Sequence, residues 1–487
     1  MTSRDRAARE ALDEAATGSL GRLRLWLAPG MGVKRHVSLA VVGALLATLG
    51  AVGGVLWLLA DARTAVSAPV EEVLVSPGWR NAGGWLALLA VAAGVWLSVA
   101  SIARLNRSLL SNWMPRPRDA ALLLHRRLLL SRGPRIVAFG GGTGLSNLLR
   151  GLRRASSNLT AVVTVADDGG SSGRLREAFG MPAPGDLSDC LAALSDDEVE
   201  VGRLMDYRFV RGAEFEGHTF GNLLITTLTE VEGDIAQATR VLNRLLNLSG
   251  AVWPVTDRPV ALVAHKRDGQ RVEGESRLRD VPGAIRRLEL EPADAPVVPG
   301  GVQAVDEAEL IVLGPGSLFS SVVAALLVPG VREALADASA PLVLVCNIMT
   351  EAGETDGFDA FDHASAVREH LGRWPDLVLV NDRPIDEARL EAYRGEAAEE
   401  VTFAYERFRE AGVAVRSAAL LGSGPYAQHD SDRLADELVT LVHAELELGT
   451  PLEGVVRELM RQLVVVQDLQ ALASFRAGSA TDDALAA

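Results

Sequence analysis

Cysteine and lysine are nearly absent from this 487-residue chain, and each absence excludes a class of protein. The two cysteines, Cys190 and Cys346, are too few and too far apart for a disulfide framework or a structural zinc site. The two lysines, Lys34 and Lys266, both lie outside any G-x-x-x-x-G-K-[ST] sequence, which excludes a Walker-A phosphate loop. The sequence also lacks a Cys/His nucleophile pattern and a metal-binding histidine pair, which argues against hydrolases with a cysteine nucleophile and against zinc enzymes.

Charge of both signs is present, but it is unevenly distributed. Residues 1–132 contain 16 basic and 8 acidic side chains, a net of +8, whereas residues 133–487 contain 32 and 55, a net of −23. This asymmetry predicts a membrane- or nucleic-acid-facing segment joined to an acidic body. The mean hydropathy of +0.17 is high for a soluble protein and favours the membrane.

Two long apolar runs support that interpretation. Residues 37–60 and 84–103 contain no charged side chain, and each run has the roughly 20 residues that a helix needs to cross a bilayer. Trp57 and Trp85 lie near the ends of the runs, where interfacial aromatic residues are favoured. A cleaved signal peptide does not fit, because the first run begins late and a second follows it. Buried core helices are the alternative.

The basic residues predict the orientation of this hairpin. Seven precede the first run, two lie between the runs, and six follow the second within residues 104–127. The positive-inside rule therefore predicts a two-span protein of the cell membrane, with both termini and the acidic body in the cytoplasm and a short external loop. We expect the following segments: a basic N-terminal segment (1–36), a transmembrane hairpin (37–103), a basic linker (104–132), a folded domain (133–445) and a helical extension with a polar tail (446–487).

From residue 135 onward, short apolar runs alternate with glycine-rich turns and helical stretches. The predicted strands are Arg135–Phe139, Leu159–Ala166, Leu310–Leu313, Leu342–Cys346 and Leu377–Val380. This alternation predicts an α/β domain whose mostly parallel sheet is covered by helices on both faces. Asp430–Ser474 has the pattern of two amphipathic helices, and Ala477–Ala487 that of a polar tail.

Two of the turns are rich enough in glycine to approach a phosphate group. Gly140–Gly144 follows the first strand, and the helix after it is predicted to begin at Leu145, with free backbone N–H groups at its N-terminus. Read as G-x-G-x-x-G, the loop has Leu145 or Asn147 in the third glycine position, so NAD binding is disfavoured. Gly314–Ser317 forms a second such loop. Each could be a tight turn only, but together they favour a nucleotide-type ligand.

Polar residues near these loops are further candidates. Asp167 and Asp168 end the second strand and could hold Mg²⁺, accept from a ribose or act as a general base. Adjacent strand residues point to opposite sides, so one of them is expected to face the site, and capping of the turn is the alternative. His218 could be a base or a phosphate contact and Asn222 a sugar contact, although a lone histidine is more often structural.

These segments, taken in order, resemble a known family. They are GGGTGLSNLLRGL (140–152), VTVADDGGSSGRL (163–175), PGDLSDC (184–190), HTFGNLLI (218–225), GES (274–276), IVLGPGSLFSS (311–321), VCNIMTEAGETD (345–356) and VLVN (378–381). Over roughly residues 133–440 the chain resembles the bacterial gluconeogenesis-factor (YvcK-type) branch of the 2-phospho-L-lactate transferase (CofD-like) superfamily.

The resemblance implies a three-layer αβα, Rossmann-like fold with a nucleotide-diphosphate site beneath the glycine loops. In the gluconeogenesis-factor branch, the implied ligand is a UDP-sugar such as UDP-N-acetylglucosamine, and the role concerns cell shape during gluconeogenic growth. In the transferase branch, a phospholactyl group passes from a guanosine diphosphate donor to a deazaflavin with Mg²⁺, and Asp168 would be the general base or metal ligand. The implied ligand contacts are Gly142, Thr143, Gly144, Asp168, Ser171, Ser172, His218, Asn222, Gly314, Gly316 and Ser317.

Two departures from the family pattern affect the expected site. Ser188 and Asp189 stand where the family usually has Arg-Asn, so an arginine contact to phosphate is in doubt, although Arg174, Arg176 or Arg258 could supply the charge. Gln428 stands where a basic residue is common.

The leading hypothesis is a membrane-tethered, nucleotide-sugar-binding regulator. The alternatives are a Mg²⁺-dependent phospholactyl-type transferase and a membrane scaffold with a vestigial site. We expect no nucleic-acid partner, and self-association of the chain is left open.

Overall fold

A computed structural model describes residues 33–61, 77–111, 120–395 and 397–448. The chain separates into two compact units, residues 1–126 and 127–487. Most of the predicted N-terminal segment, much of the external loop, part of the linker, the second C-terminal helix and the polar tail lie outside the described residues.

The first unit contains two long apolar helices, α1 (Val33–Asp61) and α2 (Pro77–Ser111). Their stretches Arg35–Leu59 and Ala82–Ser108 have mean hydropathies of 2.3 and 2.2 and are long enough to cross a membrane. The predicted apolar runs lie inside these helices. The prediction of two helices that could span a bilayer is therefore confirmed.

Glycines let α1 and α2 approach closely. A Cβ atom on Gly94 would lie 2.5 Å from the carbonyl oxygen of Gly43 and from the amide nitrogen of Ala47, so only glycine fits there. Nearby, Ser98 Oγ donates a 3.1 Å hydrogen bond to the carbonyl of Ala40 on α1. Small residues and a serine at the contact are typical of helix pairs in membranes, where van der Waals packing replaces the hydrophobic effect.

The second unit begins within helix α3 (Ala120–Leu130) and is built on two sheets. The strands are β1 (Ile136–Gly140), β2 (Leu159–Val163), β3 (Ala251–Pro254), β4 (Ala261–Lys266), β5 (Arg271–Glu273), β6 (Ile285–Glu291), β7 (Leu310–Leu313), β8 (Leu342–Val345), β9 (Leu377–Asn381) and β10 (Ala414–Ala418). Seven of them form a parallel sheet in the order β10-β9-β8-β7-β1-β2-β3, and the other three form an antiparallel sheet in the order β5-β4-β6.

Helices cover the parallel sheet on both faces. The unit contains α4 (Gly142–Leu152), α5 (Gly170–Phe179), α6 (Gly185–Leu194), α7 (Glu198–Met205), α8 (Phe220–Glu232), α9 (Ile235–Leu245), α10 (Glu275–Leu278), α11 (Pro299–Asp306), a π-helix (Leu318–Val323), α12 (Ala324–Leu326), α13 (Val331–Asp337), α14 (Ala360–Leu371), α15 (Glu387–Arg394), α16 (Tyr405–Ala411) and α17 (Ser431–Leu448). Of these, α10 packs against β4 and β5 of the small sheet. The predicted three-layer αβα, Rossmann-like fold is confirmed.

The five predicted strands are present, each within a few residues of its expected bounds. Every residue of β1, β7 and β8 is buried, as expected for strands covered on both faces. Sequence reasoning did not predict the small sheet β5-β4-β6, and in the parallel sheet it missed β3 and β10. Both are edge strands that pair with one neighbour only, and their partly exposed, short runs give no continuous apolar signal.

The strand order changes direction between β1 and β7. The chain passes from β1 to β2 on one side, and from β7 to β8 on the other. Because such crossovers are right-handed, the helices that follow β1 and β7 lie on opposite faces of the sheet. Accordingly, α4 packs against α6 and α17, whereas the π-helix packs against α14 and β6. The carboxyl ends of β1 and β7 therefore form a switch-point crevice, where open α/β sheets bind their ligands.

The contact between α4 and α17 generates a prediction about stability. A Cβ atom on Gly151 would overlap the backbone carbonyl of Ser431, so Gly151→Ala must push the two helices apart. We expect a loss of roughly 2–4 kcal/mol, measured as a lower melting temperature of the full-length protein in detergent. The matched control is Gly202→Ala on α7, where a Cβ atom would meet nothing within 4 Å. That variant is expected to be neutral or slightly stabilising, and equal effects of the two changes would contradict the interpretation.

Candidate functional site

Two glycine loops meet at the switch-point crevice. A Cβ atom on Gly144 would lie 2.6 Å from the carbonyl oxygen of Pro315 and 2.7 Å from the Cα atom of Gly316. The Gly314 amide donates a 2.8 Å hydrogen bond to the carbonyl of Phe139 on β1. The two loops therefore contact each other through backbone atoms, and no space is left for a side chain on Gly144.

Three helices direct their N-termini toward this edge of the sheet. The helix after β1 begins at Gly142 (φ +57°), three residues earlier than predicted, because glycine adopts the left-handed conformation that starts the turn. The N-cap residues of α4, α5 and the π-helix are Gly141, Gly169 and Ser317, and none of them caps its helix with a side-chain hydrogen bond. Free N–H groups at helix N-termini attract anions.

The structure brings four of the predicted contacts into one buried network. Asn222 Nδ2 donates to Ser171 Oγ at 3.1 Å and to Ser172 Oγ at 3.3 Å. Ser171 Oγ also lies 3.0 Å from His218 Nδ1. Because the amide nitrogen can only donate, the Ser171 hydroxyl accepts from Asn222, and the direction of its hydrogen bond with His218 is set by the tautomer of the imidazole.

Burial and two nearby arginines favour the uncharged form of His218. Burial lowers its pKa, and the neighbouring guanidinium groups of Arg174 and Arg208 lower the pKa further. Those guanidinium groups are themselves held by the backbone, since Arg174 donates to the carbonyl of Glu216 and Arg208 to that of Gly217. At neutral pH, these effects favour the uncharged form of the His218 imidazole.

The two adjacent aspartates after β2 use their oxygens differently. Asp168 Oδ1 accepts a 2.8 Å hydrogen bond from the backbone N–H of Ser276, the last residue of the GES segment. Asp167 Oδ1 accepts from the N–H of Gly169 at 2.8 Å, and Asp167 Oδ2 lies on the side of Gly185. Asp168 is therefore tied to the α10 segment, whereas Asp167 faces the start of α6.

Asp186, at the start of α6, was not singled out by sequence reasoning. Its carboxylate accepts a hydrogen bond from the Gly142 N–H and lies where a side chain on Gly141 would be. Burial raises the pKa of Asp186 well above its usual range, and the negative charges of Asp167, Asp189 and Glu275 raise it further. The signal available was an aspartate in the first turn of a helix directly beside a glycine loop.

Two glutamates of the GETD region support the second glycine loop. Glu351 accepts hydrogen bonds from Ser317 and from Asn347 Nδ2. Glu354 is fully buried, and its Oε2 atom accepts from the Ser320 backbone N–H at 3.2 Å. Burial and the nearby charge of Glu351 raise the pKa of Glu354 to about 7. Sequence reasoning used this motif for the family resemblance and did not foresee its position under the π-helix.

Lys266 connects this motif to the small sheet. Its buried Nζ atom donates to the carbonyls of Leu278 (3.1 Å), Val281 (3.0 Å) and Gly353. Burial lowers the pKa of the ammonium group, while Asp356 and other nearby acids oppose that shift. Lys266 thereby fixes the segment that carries Glu275 against the segment that carries Glu354.

Of the three arginines proposed to replace the family's missing cation, Arg174 lies near His218, whereas Arg176 and Arg258 make other contacts. Arg176 donates to the Ala166 carbonyl at 3.1 Å, and Arg258 is exposed beside Asp257. Arg279 lies near several carboxylates of the site. Burial lowers its pKa, but the charges of Glu351, Glu275 and Glu354 together raise it above its usual value. Ser188 packs against Gly221. The two glycine loops therefore offer backbone donors beside carboxylates and contain no basic side chain of their own.

A metal site made of side chains alone does not fit this arrangement. Within residues 120–395 and 397–448, no three carboxylate, histidine or cysteine side chains converge as ligands for one ion. One oxygen of Asp168 is also occupied by Ser276. The role of Asp168 as a metal ligand or general base stays a prediction.

Comparison with known proteins is consistent with this geometry. The family model for 2-phospho-L-lactate transferase CofD matches residues 136–421. The gluconeogenesis factor of Bacillus subtilis is 40% identical over 315 residues, which cover 64% of this chain and 99% of that protein. A Deinococcus radiodurans protein that also carries a gluconeogenesis-factor name is 43% identical over 435 residues, covering 86% of this chain and 90% of its own length. A crystal structure of a Bacillus halodurans protein superposes with a TM-score of 0.61 at 39% identity and covers 63% of this chain.

The buried Glu354 predicts how stability depends on pH. Its pKa is about 7 in the folded protein and near 4.5 when unfolded, so the stabilisation of the protonated form is present below pH 4.5 and is lost as the pH rises through 7. Glu354→Gln should weaken this decrease by up to ~3 kcal/mol, measured as melting temperature against pH from 4.5 to 8. Glu230→Gln, an exposed change on α8, is the control and should follow the unmodified protein. An unchanged profile in Glu354→Gln would contradict the assignment.

Proposed function

The chain belongs to the 2-phospho-L-lactate transferase CofD family, and we propose that it is a membrane-tethered gluconeogenesis factor that binds a nucleotide-diphosphate sugar. UDP-N-acetylglucosamine is the proposed ligand. The proposed role is regulation of cell shape during growth on gluconeogenic carbon sources. Relatives with gluconeogenesis-factor names, which this chain covers over 90% and 99% of their length, support the choice of branch.

The contact between the two glycine loops carries the proposal. Gly144 lies against Pro315 and Gly316, so the N-termini of α4 and the π-helix open side by side on one crevice. A diphosphate has two anionic groups, and two adjacent helix N-termini can bind one group each. A ligand with a single charge would leave half of this arrangement unused.

The polar network beside the loops suits the sugar of such a ligand. Ser171, Ser172 and Asn222 form a buried cluster with a neutral His218, and such groups exchange hydrogen bonds with hydroxyl and amide groups. The two glycine loops contain no basic side chain. This composition favours a ligand recognised through hydrogen bonds over one recognised by charge alone.

A phospholactyl-type transferase is the second candidate, favoured by the description of the matching family model. It would need Asp168 as general base or metal ligand, although the Ser276 N–H already occupies one oxygen of that carboxylate. The ligand experiment below separates the two candidates.

The anchor belongs to the proposal as well. Residues 136–487 make up less than three quarters of the chain, so the 86% match to the Deinococcus relative must extend into the preceding apolar region. We propose that α1 and α2 cross the cell membrane, with the acidic body on the cytoplasmic side, near membrane-bound steps of wall-precursor synthesis. The excess of basic residues before α1 and after α2 supports this orientation.

Ligand binding can be tested on the full-length protein in detergent by thermal shift. We expect UDP-N-acetylglucosamine to raise the melting temperature by several degrees at saturation, because a ligand stabilises the state that binds it. Stabilisation by GDP or a deazaflavin alone would contradict the proposal and favour the transferase.

The same experiment with Gly144→Ala tests the glycine loops. Its Cβ atom would press on the Pro315 carbonyl and separate the loops, so we expect binding at least tenfold weaker. Gly202→Ala, in open space on α7, serves as the matched control and should bind normally. Normal binding by Gly144→Ala would remove the loops from the site.

Orientation can be tested by cysteine labelling in intact cells. Cys190 and Cys346 are buried, so the background is expected to be low. Ser67→Cys lies between the spans, and Ser131→Cys lies on the exposed start of the body. We expect a membrane-impermeant maleimide to label the first in intact cells and the second only after permeabilisation. The reverse pattern would place the body outside.

A further inference from the structure

The first glycine loop already holds an anion that belongs to the chain. Asp186 accepts the hydrogen bond of the Gly142 N–H, and its carboxylate fills the space beside Gly141. This is the position at which the N-terminus of α4 would receive a phosphate oxygen. One N–H group cannot serve both acceptors at full strength.

Within the described residues no cation forms an ion pair with the carboxylates at this point, although Arg150 lowers the pKa of Asp189 and Arg279 lowers that of Glu275 without direct pairing. The charged groups that face Asp186 are Asp167 from the loop after β2, Asp189 from α6 itself and Glu275 from α10. In the part of the chain that the structure describes, no arginine, lysine or histidine forms an ion pair within 4 Å with any of these four carboxylates. An anionic ligand would therefore add charge to a cluster that is already negative.

We propose that Asp186 competes with the ligand's phosphate for the first glycine loop and that the phosphate binds there when Asp186 takes up a proton from solvent. This inference rests on the proposed function and names the step that regulates the same site. The Asp186 carboxylate takes up one proton from solvent, and the Gly142 N–H then donates its hydrogen bond to a phosphate oxygen instead of to Asp186. No bond between heavy atoms forms or breaks. Asp186 thus determines how strongly the site discriminates against a fully ionised ligand.

The environment of Asp186 favours proton uptake by its carboxylate. Burial and the like charges of Asp167, Asp189 and Glu275 raise the pKa of Asp186, and only the Gly142 N–H opposes the shift. Burial and neighbouring carboxylates also raise the pKa of Asp189 to about 6 and that of Glu275 to about 7. Carboxylates that raise one another's pKa take up protons more readily than isolated ones, so the cluster can share protons as the ligand enters.

The inference predicts how affinity changes with pH. If one proton accompanies the ligand, the association constant falls about tenfold for each pH unit above the pKa of the free site. Asp186→Asn retains an oxygen that accepts from Gly142 but carries no charge. This variant should bind at least tenfold more tightly than the unmodified protein at pH 8 and should lose most of the pH dependence.

The experiment is isothermal titration calorimetry on the full-length protein in detergent, from pH 5.5 to 8.5, with UDP-N-acetylglucosamine and with inorganic pyrophosphate as probes. Titrations in buffers of different ionisation enthalpy count the protons taken up, and a parallel series contains Mg²⁺. Asp337→Asn is the matched control. It makes the same change at the exposed end of α13, which leads to the amino end of β8, whereas the site lies at the carboxyl ends of the strands.

Each outcome decides a separate point. Proton uptake that disappears in Asp186→Asn and persists in Asp337→Asn supports the inference. Tight binding of the nucleotide sugar without proton uptake, or with uptake unchanged in Asp186→Asn, overturns it and leaves the proposed function standing.

The remaining outcomes separate the two proposals. Pyrophosphate binding that depends on Asp186, without binding of the nucleotide sugar, supports the competition and overturns the proposed ligand. Failure of both probes to bind the unmodified protein and Asp186→Asn overturns both. If protons are taken up without Mg²⁺ but not with it, the inference is supported, because the cation then replaces the proton as counter-charge.

Discussion

The site depends on a backbone-to-backbone contact between two loops at the centre of the sheet. Gly144 and Gly316 approach without side chains, and this approach sets the separation between the N-termini of α4 and the π-helix. The parallel strands beneath supply the rigidity, because β1 and β7 are buried along their length and hydrogen-bonded to each other. Everything that we attribute to the site, including its ligand class, follows from that spacing.

The acidic surroundings of the loops give the site an unusual balance. The body has a net charge of −23, and several carboxylates near the loops have raised pKa values because burial and like charges both disfavour ionisation. Attraction of a phosphate must therefore come from oriented N–H dipoles at short range. Such dipoles act over one or two hydrogen-bond lengths and favour a ligand of matching shape.

Much of this arrangement could be predicted from the sequence because it depends on local patterns. Continuous apolar runs identified β1, β7 and β8, and consecutive glycines identified both loops. The network of Ser171, His218 and Asn222 was anticipated as a set of ligand contacts, and the structure brings those three together. Two uncharged runs identified the helices that could span a membrane.

The parts that escaped prediction depend on long-range packing. Asp186 meets Gly142 across more than forty residues, and Glu354 reaches Ser320 across 34. No local spacing records such a pairing, and an aspartate in the first turn of a helix is as easily explained by the helix dipole. The edge strands β3 and β10 escaped because each buries only part of its surface.

Lys266 has a practical consequence for chemistry on the body. It is the sole lysine after residue 34, and its amine is enclosed by three backbone carbonyls. A folded body therefore offers no free side-chain amine to acylating reagents, amine-directed cross-linkers or lysine-specific proteases. Reaction at this position would report the opening of the segment around Gly353, so Lys266 is a built-in reporter of local unfolding beside the site.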